Sequence, residues 1–159
     1  MIDANDLVGA FARNSYVVKA PAEGPTNEDS LIQLPHGNSL NWVLGHIVVS
    51  RDEALGVLGE PPTAGARVER YKRGSEPITG ACDDALPLAE LLTLLDQAQE
   101  RIEATLSRMD AAALARKSAD DERGRTIGQR AFFLYFHETY HVGQTELFRQ
   151  LAGRDDKLI

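Results

Sequence analysis

Apolar residues recur at helical spacing in four stretches of this chain and alternate with period two over no useful length, which predicts an all-α protein. The first stretch runs from about Ala4 to Lys19, carries Leu7, Phe11, Tyr16 and Val17, and is expected to stop before Pro21. The second starts behind Ser39, a good N-cap, passes through Leu40, Val43, Ile47 and Ala54, and reaches Leu58. Gly59 and the Pro61–Pro62 pair end it. The third opens with Pro87, a favoured first-turn residue, and sets Leu88, Leu91, Leu92, Leu95, Ile102 and Leu106 on one stripe up to Met109. Thr126 caps the fourth, with Gln129 completing a capping-box pattern; this helix is expected to reach Ala152 and to stop at Gly153.

Three connections join these stretches. Ala22 to Gly37 reads as a connector holding a short turn around Glu28 to Leu34, and Lys117 to Arg125 is polar. Between Glu60 and Leu86 no helical period is sustained, and Gly65, Gly74, Pro77 and Gly80 interrupt the chain. A connection that long suits a crossover, so the predicted architecture is a four-helix bundle with a long crossover between helices two and three. A length of 159 residues fits a single domain over 1–159.

Charge and composition narrow the function classes. A net charge of -7 argues against nucleic acid or an anionic membrane surface as partner, because phosphate binding needs clustered basic residues. No stretch approaches the ~20 apolar residues that span a bilayer. Asp3 and Asp6 stand where a signal peptide would carry Lys or Arg, and the lone Cys82 permits no internal disulfide. The expected location is cytoplasmic.

The histidines carry the chemistry. His137 and His141 lie four apart on the fourth helix and at about 100° per residue project within about 40° of each other, one turn apart. His46 shares the side of the second helix that carries Val43, Ile47, Ser50 and Ala54, where an unpaired imidazole would be costly. If helices two and four are neighbours, three imidazoles converge. A single inward histidine is ordinarily a satisfied core residue and an i, i+4 pair can be coincidence; the two together favour one divalent metal ion on His46, His137 and His141. His36, in the Pro35–Gly37 turn, reads as a surface residue.

His137-Glu138-Thr139-Tyr140-His141 also fits the zinc-protease pattern H-E-x-x-H, in which Glu138 would be the general base. No histidine follows His141, Glu146 is the sole nearby acid, and Gln144 and Leu147 stand where the metzincin extension needs Gly and His. The protease reading is therefore set aside and Glu138 is read as incidental.

At these residues the chain resembles the DinB-like family of DinB/YfiT-like metalloenzymes. The resemblance covers essentially the whole chain and rests on Asn38-Ser39-Leu40-Asn41-Trp42-Val43-Leu44-Gly45-His46, on Tyr71-Lys72-Arg73-Gly74-Ser75, and on His137, Tyr140-His141 and Gly143-Gln144. It implies a four-helix bundle, often a homodimer, with a metal on three histidines that carry over onto His46, His137 and His141. Zinc, nickel, iron and manganese are the implied occupants. Some relatives transfer or isomerise small-molecule substrates with low-molecular-weight thiols such as bacillithiol or mycothiol as cosubstrate.

Three neutral imidazoles leave an ion with open positions, a catalytic arrangement. Such an ion deprotonates a coordinated thiol, which serves thiol S-transfer, or activates water for hydrolysis. The alternative is a structural or stress-response bundle in which the ion staples helices two and four without turnover; a further one is a dimeric bundle with vestigial histidines. Arg130 and Gln144 lie about two turns either side of the ligands on their face and are the catalytic candidates: Gln144 to orient water or ligand, or as a polar bundle contact; Arg130 for a substrate carboxylate, or as a structural ion pair. Arg67, Arg70, Lys72 and Arg73, with Glu69 among them, read as a solvated loop or as a holder of an anionic thiol. Trp42 is expected to pack in the bundle, and Cys82, beside Asp83 and Asp84, is a poor nucleophile. The exposed faces of helices one and three are the candidate dimer surfaces, inseparable from core by sequence.

Overall fold

The structure, a computed structural model, describes residues 3–34, 37–76, 78, 84–119 and 121–151. Four long helices, α1 (Ala4–Ala22), α3 (Leu40–Leu58), α4 (Leu88–Leu106) and α6 (Ile127–Leu151), are joined by two short ones, α2 (Asn27–Ser30) and α5 (Ala111–Ala115), and by a 3-10 helix over Gly65–Tyr71. Among the described residues there is no strand, only isolated bridges between Gln33 and Ser39 and between Lys117 and Thr126. None of these helices is long and apolar enough to cross a membrane.

Side-chain contacts fix the directions. Ser15 meets Gln99 and Lys19 meets Asp96, so α1 and α4 are antiparallel. Asn41 reaches the Leu86 carbonyl and Arg51 the Leu95 carbonyl, so α3 and α4 run parallel. Parallel neighbours cannot be joined by a tight turn, which is the physical reason for the long segment between them. His46 lies by His141 and Ser50 by His137, making α3 and α6 antiparallel. Each long helix packs on two others, α1 and α3 both against α4 and α6. One buried cluster, with Leu44, Ile47, Val48, Leu91 and Leu95, fills the crossover end, and a second, with Leu7, Phe11, Leu55, Ile102 and Leu134, fills the other.

The end signals act largely as their chemistry dictates. Ser39 accepts from the Trp42 amide at 3.2 Å, and Gly59 closes α3 at φ 86°. Thr126 and Gln129 exchange capping bonds of 2.9 and 3.2 Å. Three expectations shift. α1 continues through Pro21 to Ala22: a proline in the last turn forfeits one helix bond, and burial of Pro21 and Ala22 compensates. Pro87 is the N-cap of α4 rather than its first residue, and α4 ends at Leu106, not Met109. Asp110 then caps α5, accepting from the Ala113 amide at 2.7 Å. The readings of His36, of Cys82 and Asp83, and of a stop at Ala152 and Gly153 fall outside the described residues.

Candidate metal centre

His46 is delivered by α3, and His137 and His141 by successive turns of α6. Their ligand nitrogens all lie within 4.8 Å of one another. The three rings stand nearly perpendicular in pairs, with centroids 4.6 to 5.3 Å apart and interplanar angles of 75° to 77°. The Nε2 atoms of His137 and His141 are 3.3 Å apart.

Each ring is oriented from its other nitrogen. His46 Nδ1 lies 2.7 Å from the Tyr71 carbonyl and His141 Nδ1 2.9 Å from Gln144 Oε1. His137 Nδ1 is 3.4 Å from Ser50 Oγ. A carbonyl or amide oxygen only accepts, so Nδ1 carries the proton on His46 and His141 and Nε2 keeps its lone pair, the tautomer a metal requires. Burial acts in the same sense: it lowers the pKa of His46, against the opposing Tyr71 bond, and lowers that of His141 to about 4, with His46 and His137 adding to the effect. His46 and His141 are therefore held neutral at physiological pH, and the three imidazoles together are a donor set that fits a divalent transition metal.

The crossover supplies the outer layer. The Tyr71 ring lies so close to Gly45 that a Cβ there would overlap it. Its hydroxyl donates to Asn41 Oδ1 at 3.0 Å and accepts from the Leu86 amide at 2.7 Å. Gly74, at φ 84°, makes the turn that brings Ser75 within 3.4 Å of Trp42 Nε1. Trp42 is buried and stacks on His46 at 4.7 Å and 14°. Asp52 on α3 accepts from the Thr63, Ala64 and Gly65 amides and pins the start of the 3-10 helix.

Gln144 makes a polar contact within the bundle, its Oε1 2.9 Å from Nδ1 of His141. Arg130 lies 4.0 Å from Asp121 and beside the Phe133 ring, and its Nε is buried without a hydrogen-bond partner. In the basic run, Arg67 pairs with Glu90, Arg70 with Asp84 at 2.6 Å and Lys72 with Glu69 at 2.7 Å. Carboxylates thus neutralise most of it, as a solvated loop would have it.

Glu138 is not incidental, and it is no general base. It is wholly buried in a two-pronged ion pair with Arg51, at 2.8 and 3.1 Å. Arg51 also donates to the Leu95 carbonyl and to Ser15 Oγ, each at 2.8 Å, and Ser15 donates to Gln99 at 3.1 Å. The pair adjoins Ser50 and His137 in sequence and ties α3 to α6 one residue from that contact. Sequence reasoning missed Arg51, although the signal was present: Ile47, Arg51, Ala54 and Leu58 share one stripe, as do Ala131, Leu134, Glu138 and Val142. Two opposite charges on two inward stripes have to meet or go unpaired.

A family model of the DinB superfamily matches residues 17–145. That span takes in the three histidines, the crossover and the Arg51–Glu138 pair. No curated protein matches the chain.

Proposed function

The chain belongs to the DinB superfamily, and on that footing we propose that it binds one divalent transition-metal ion on His46, His137 and His141 and acts as a metal-dependent transferase of low-molecular-weight thiols. The carrying observation is the tautomer: oxygen acceptors hold Nδ1 on His46 and His141 and leave Nε2 directed at a shared point. A bound ion there supplies Lewis acidity, enough to lower the pKa of a thiol to the thiolate at neutral pH. The protein's part is to hold His46 and His141 neutral and oriented, the first by the Tyr71 carbonyl and the second by Gln144. His137 is the partly exposed member of the three. Arg130, about two turns before His137 on α6, is the cationic group we assign to a substrate carboxylate, beside its 4.0 Å contact with Asp121.

A second reading, an ion that only staples α3 to α6, draws on the burial of His46 and His141. Metal analysis of the purified protein beside the His46→Ala, His137→Ala double variant tests the common premise. Near one equivalent in the wild type and none in the variant is expected; no metal in either, after reconstitution, overturns both readings. Thiol consumption with an electrophilic acceptor by the loaded protein then separates them, since the staple predicts none.

A further inference from the structure

A neutral imidazole carries one N–H and one lone pair, so each hydrogen bond it makes dictates which nitrogen does which. At the metal centre four side chains stand in line. Ser50 Oγ lies 3.4 Å from His137 Nδ1, His137 Nε2 lies 3.3 Å from His141 Nε2, and His141 Nδ1 lies 2.9 Å from Gln144 Oε1. The assignment propagates from the Gln144 end. An amide oxygen only accepts, so His141 donates from Nδ1 and keeps a lone pair on Nε2. His137 Nε2 must then supply the proton in the 3.3 Å contact, which leaves His137 Nδ1 to accept from the Ser50 hydroxyl. From Ser50 through His137 and His141 to Gln144, every donor meets an acceptor.

An ion shared by the same three rings demands a different arrangement of one of them. His46, whose Nδ1 lies 2.7 Å from the Tyr71 carbonyl, and His141 both keep Nε2 lone pairs for it. His137, in the chain just described, has an N–H where the ion needs a lone pair. We propose that His137 is the tautomeric switch of this site and that Ser50 is the positioning residue that permits both of its states. In one state Nε2–H is bonded to His141 and Nδ1 accepts from Ser50; in the other Nδ1–H is bonded to Ser50 and Nε2 is free for the ion. The inference rests on the three-histidine metal reading and concerns how that site is filled and emptied.

The residue types fit the two states. A carbonyl oxygen beside Nδ1, as His46 has, fixes one tautomer, and an N–H donor there would fix the other, whereas a hydroxyl both donates and accepts. When Ser50 accepts, a serine in a helix can give its own hydrogen to the carbonyl one turn earlier. Ser50 is 3% exposed, so bulk water does not stand in for its hydroxyl. The exchange takes one proton off Nε2 and returns one at Nδ1, with water as the carrier, so the charge of the ring is unchanged and no proton is released. His137 is half-buried while His46 and His141 are buried, so water reaches the ring that has to exchange. The His137–His141 bond also gives the buried Nε2 of His141 a partner once an ion leaves, and an unpartnered buried acceptor is costly. The site can thus be emptied and refilled without losing its shape.

Long-range proton–nitrogen correlation spectra of the full chain, labelled with nitrogen-15 in its histidines, test the switch, because protonated, lone-pair and metal-bound ring nitrogens differ in shift. Spectra are recorded at about pH 8, where imidazoles are ordinarily neutral, after chelation and again after addition of zinc. The His137 signals are those lost in His137→Gln. After chelation His137 is expected as the Nε2–H tautomer, and with zinc as the Nδ1–H tautomer, while His46 and His141 stay Nδ1–H throughout. A His137 that is already Nδ1–H after chelation overturns the proposal and leaves the metal reading standing; a wild type that takes up no zinc overturns both. Zinc titration of Ser50 variants gives a second readout. Ser50→Ala is expected to weaken zinc binding about 10–100-fold, and Ser50→Thr, which keeps the hydroxyl, to bind as the wild type does. Wild-type affinity in Ser50→Ala, or equal loss in both variants with an unchanged circular dichroism spectrum, overturns the role of the hydroxyl.

Discussion

At the scale of single residues, the candidate site is a problem of proton placement. A histidine whose folded pKa lies below its free value is held neutral by the fold, so between the two values the unfolded chain binds a proton that the native state refuses. For His141 that window runs from 6.5 down to about 4, and His46 shifts in the same direction. Stability of the metal-free protein must therefore fall as pH drops through this window, and be recovered above it. Denaturant midpoints at pH 7.5, 6 and 5 are expected to decline in the wild type and to decline less steeply in His141→Gln. A parallel decline in both would show that burial of this imidazole is not the source. Metal affinity should weaken over the same range, since protons compete for the Nε2 lone pairs.

At the scale of elements, what was legible in the sequence and what was not divide along a physical line. Helix periods and caps are local, and Ser39, Gly59 and Thr126 act where their side chains or backbone freedom place them. The convergence of His46 with His137 and His141 was legible too, because all three sit on inward stripes and inward stripes have few places to go. Less legible was a pairing between elements: that Tyr71 presents its carbonyl to His46. It does not follow from spacing on one helix, whereas Gln144, three residues after His141 on α6, was within reach of it by spacing alone. α5 was a different case, missed although Asp110 and an alanine run announce it. The packing of Tyr71 on Gly45 makes a test of the outer layer. Gly45→Ala forces the ring away and with it the acceptor for His46 Nδ1. Overpacking of this kind costs about 1–3 kcal/mol, and losing an outer-layer partner weakens metal affinity about 10–100-fold. Ala54→Gly serves as a control: it lies on the same helix but away from Tyr71, so calorimetry should show a loss of stability without that loss of affinity.

At the scale of the whole molecule, one buried ion pair reaches all four long helices: Arg51 on α3, Glu138 on α6, Ser15 on α1, and the Leu95 carbonyl and Gln99 on α4. Two clusters of apolar side chains fill the two ends of the bundle, and apolar surfaces slide past one another at little cost, whereas a two-pronged guanidinium–carboxylate contact has one register. The three histidines stand beside it on the same two helices. Glu138→Ala leaves a buried guanidinium unpaired and is expected to cost about 3–5 kcal/mol. Arg51→Met with Glu138→Leu removes both charges; its cost should be smaller than that of Glu138→Ala alone, because no charge is left stranded. The double variant is then the informative protein. If the ion pair sets the register of α3 on α6, this variant folds yet binds metal more weakly than the wild type, and urea unfolding beside metal titration reads the two effects separately. Full metal affinity in a folded double variant would mean that apolar packing alone aligns the histidines. The same comparison decides the meaning of H-E-x-x-H here: a general base could be lost as Glu138→Gln with the fold intact, whereas a buried partner of Arg51 cannot be neutralised without loss of stability.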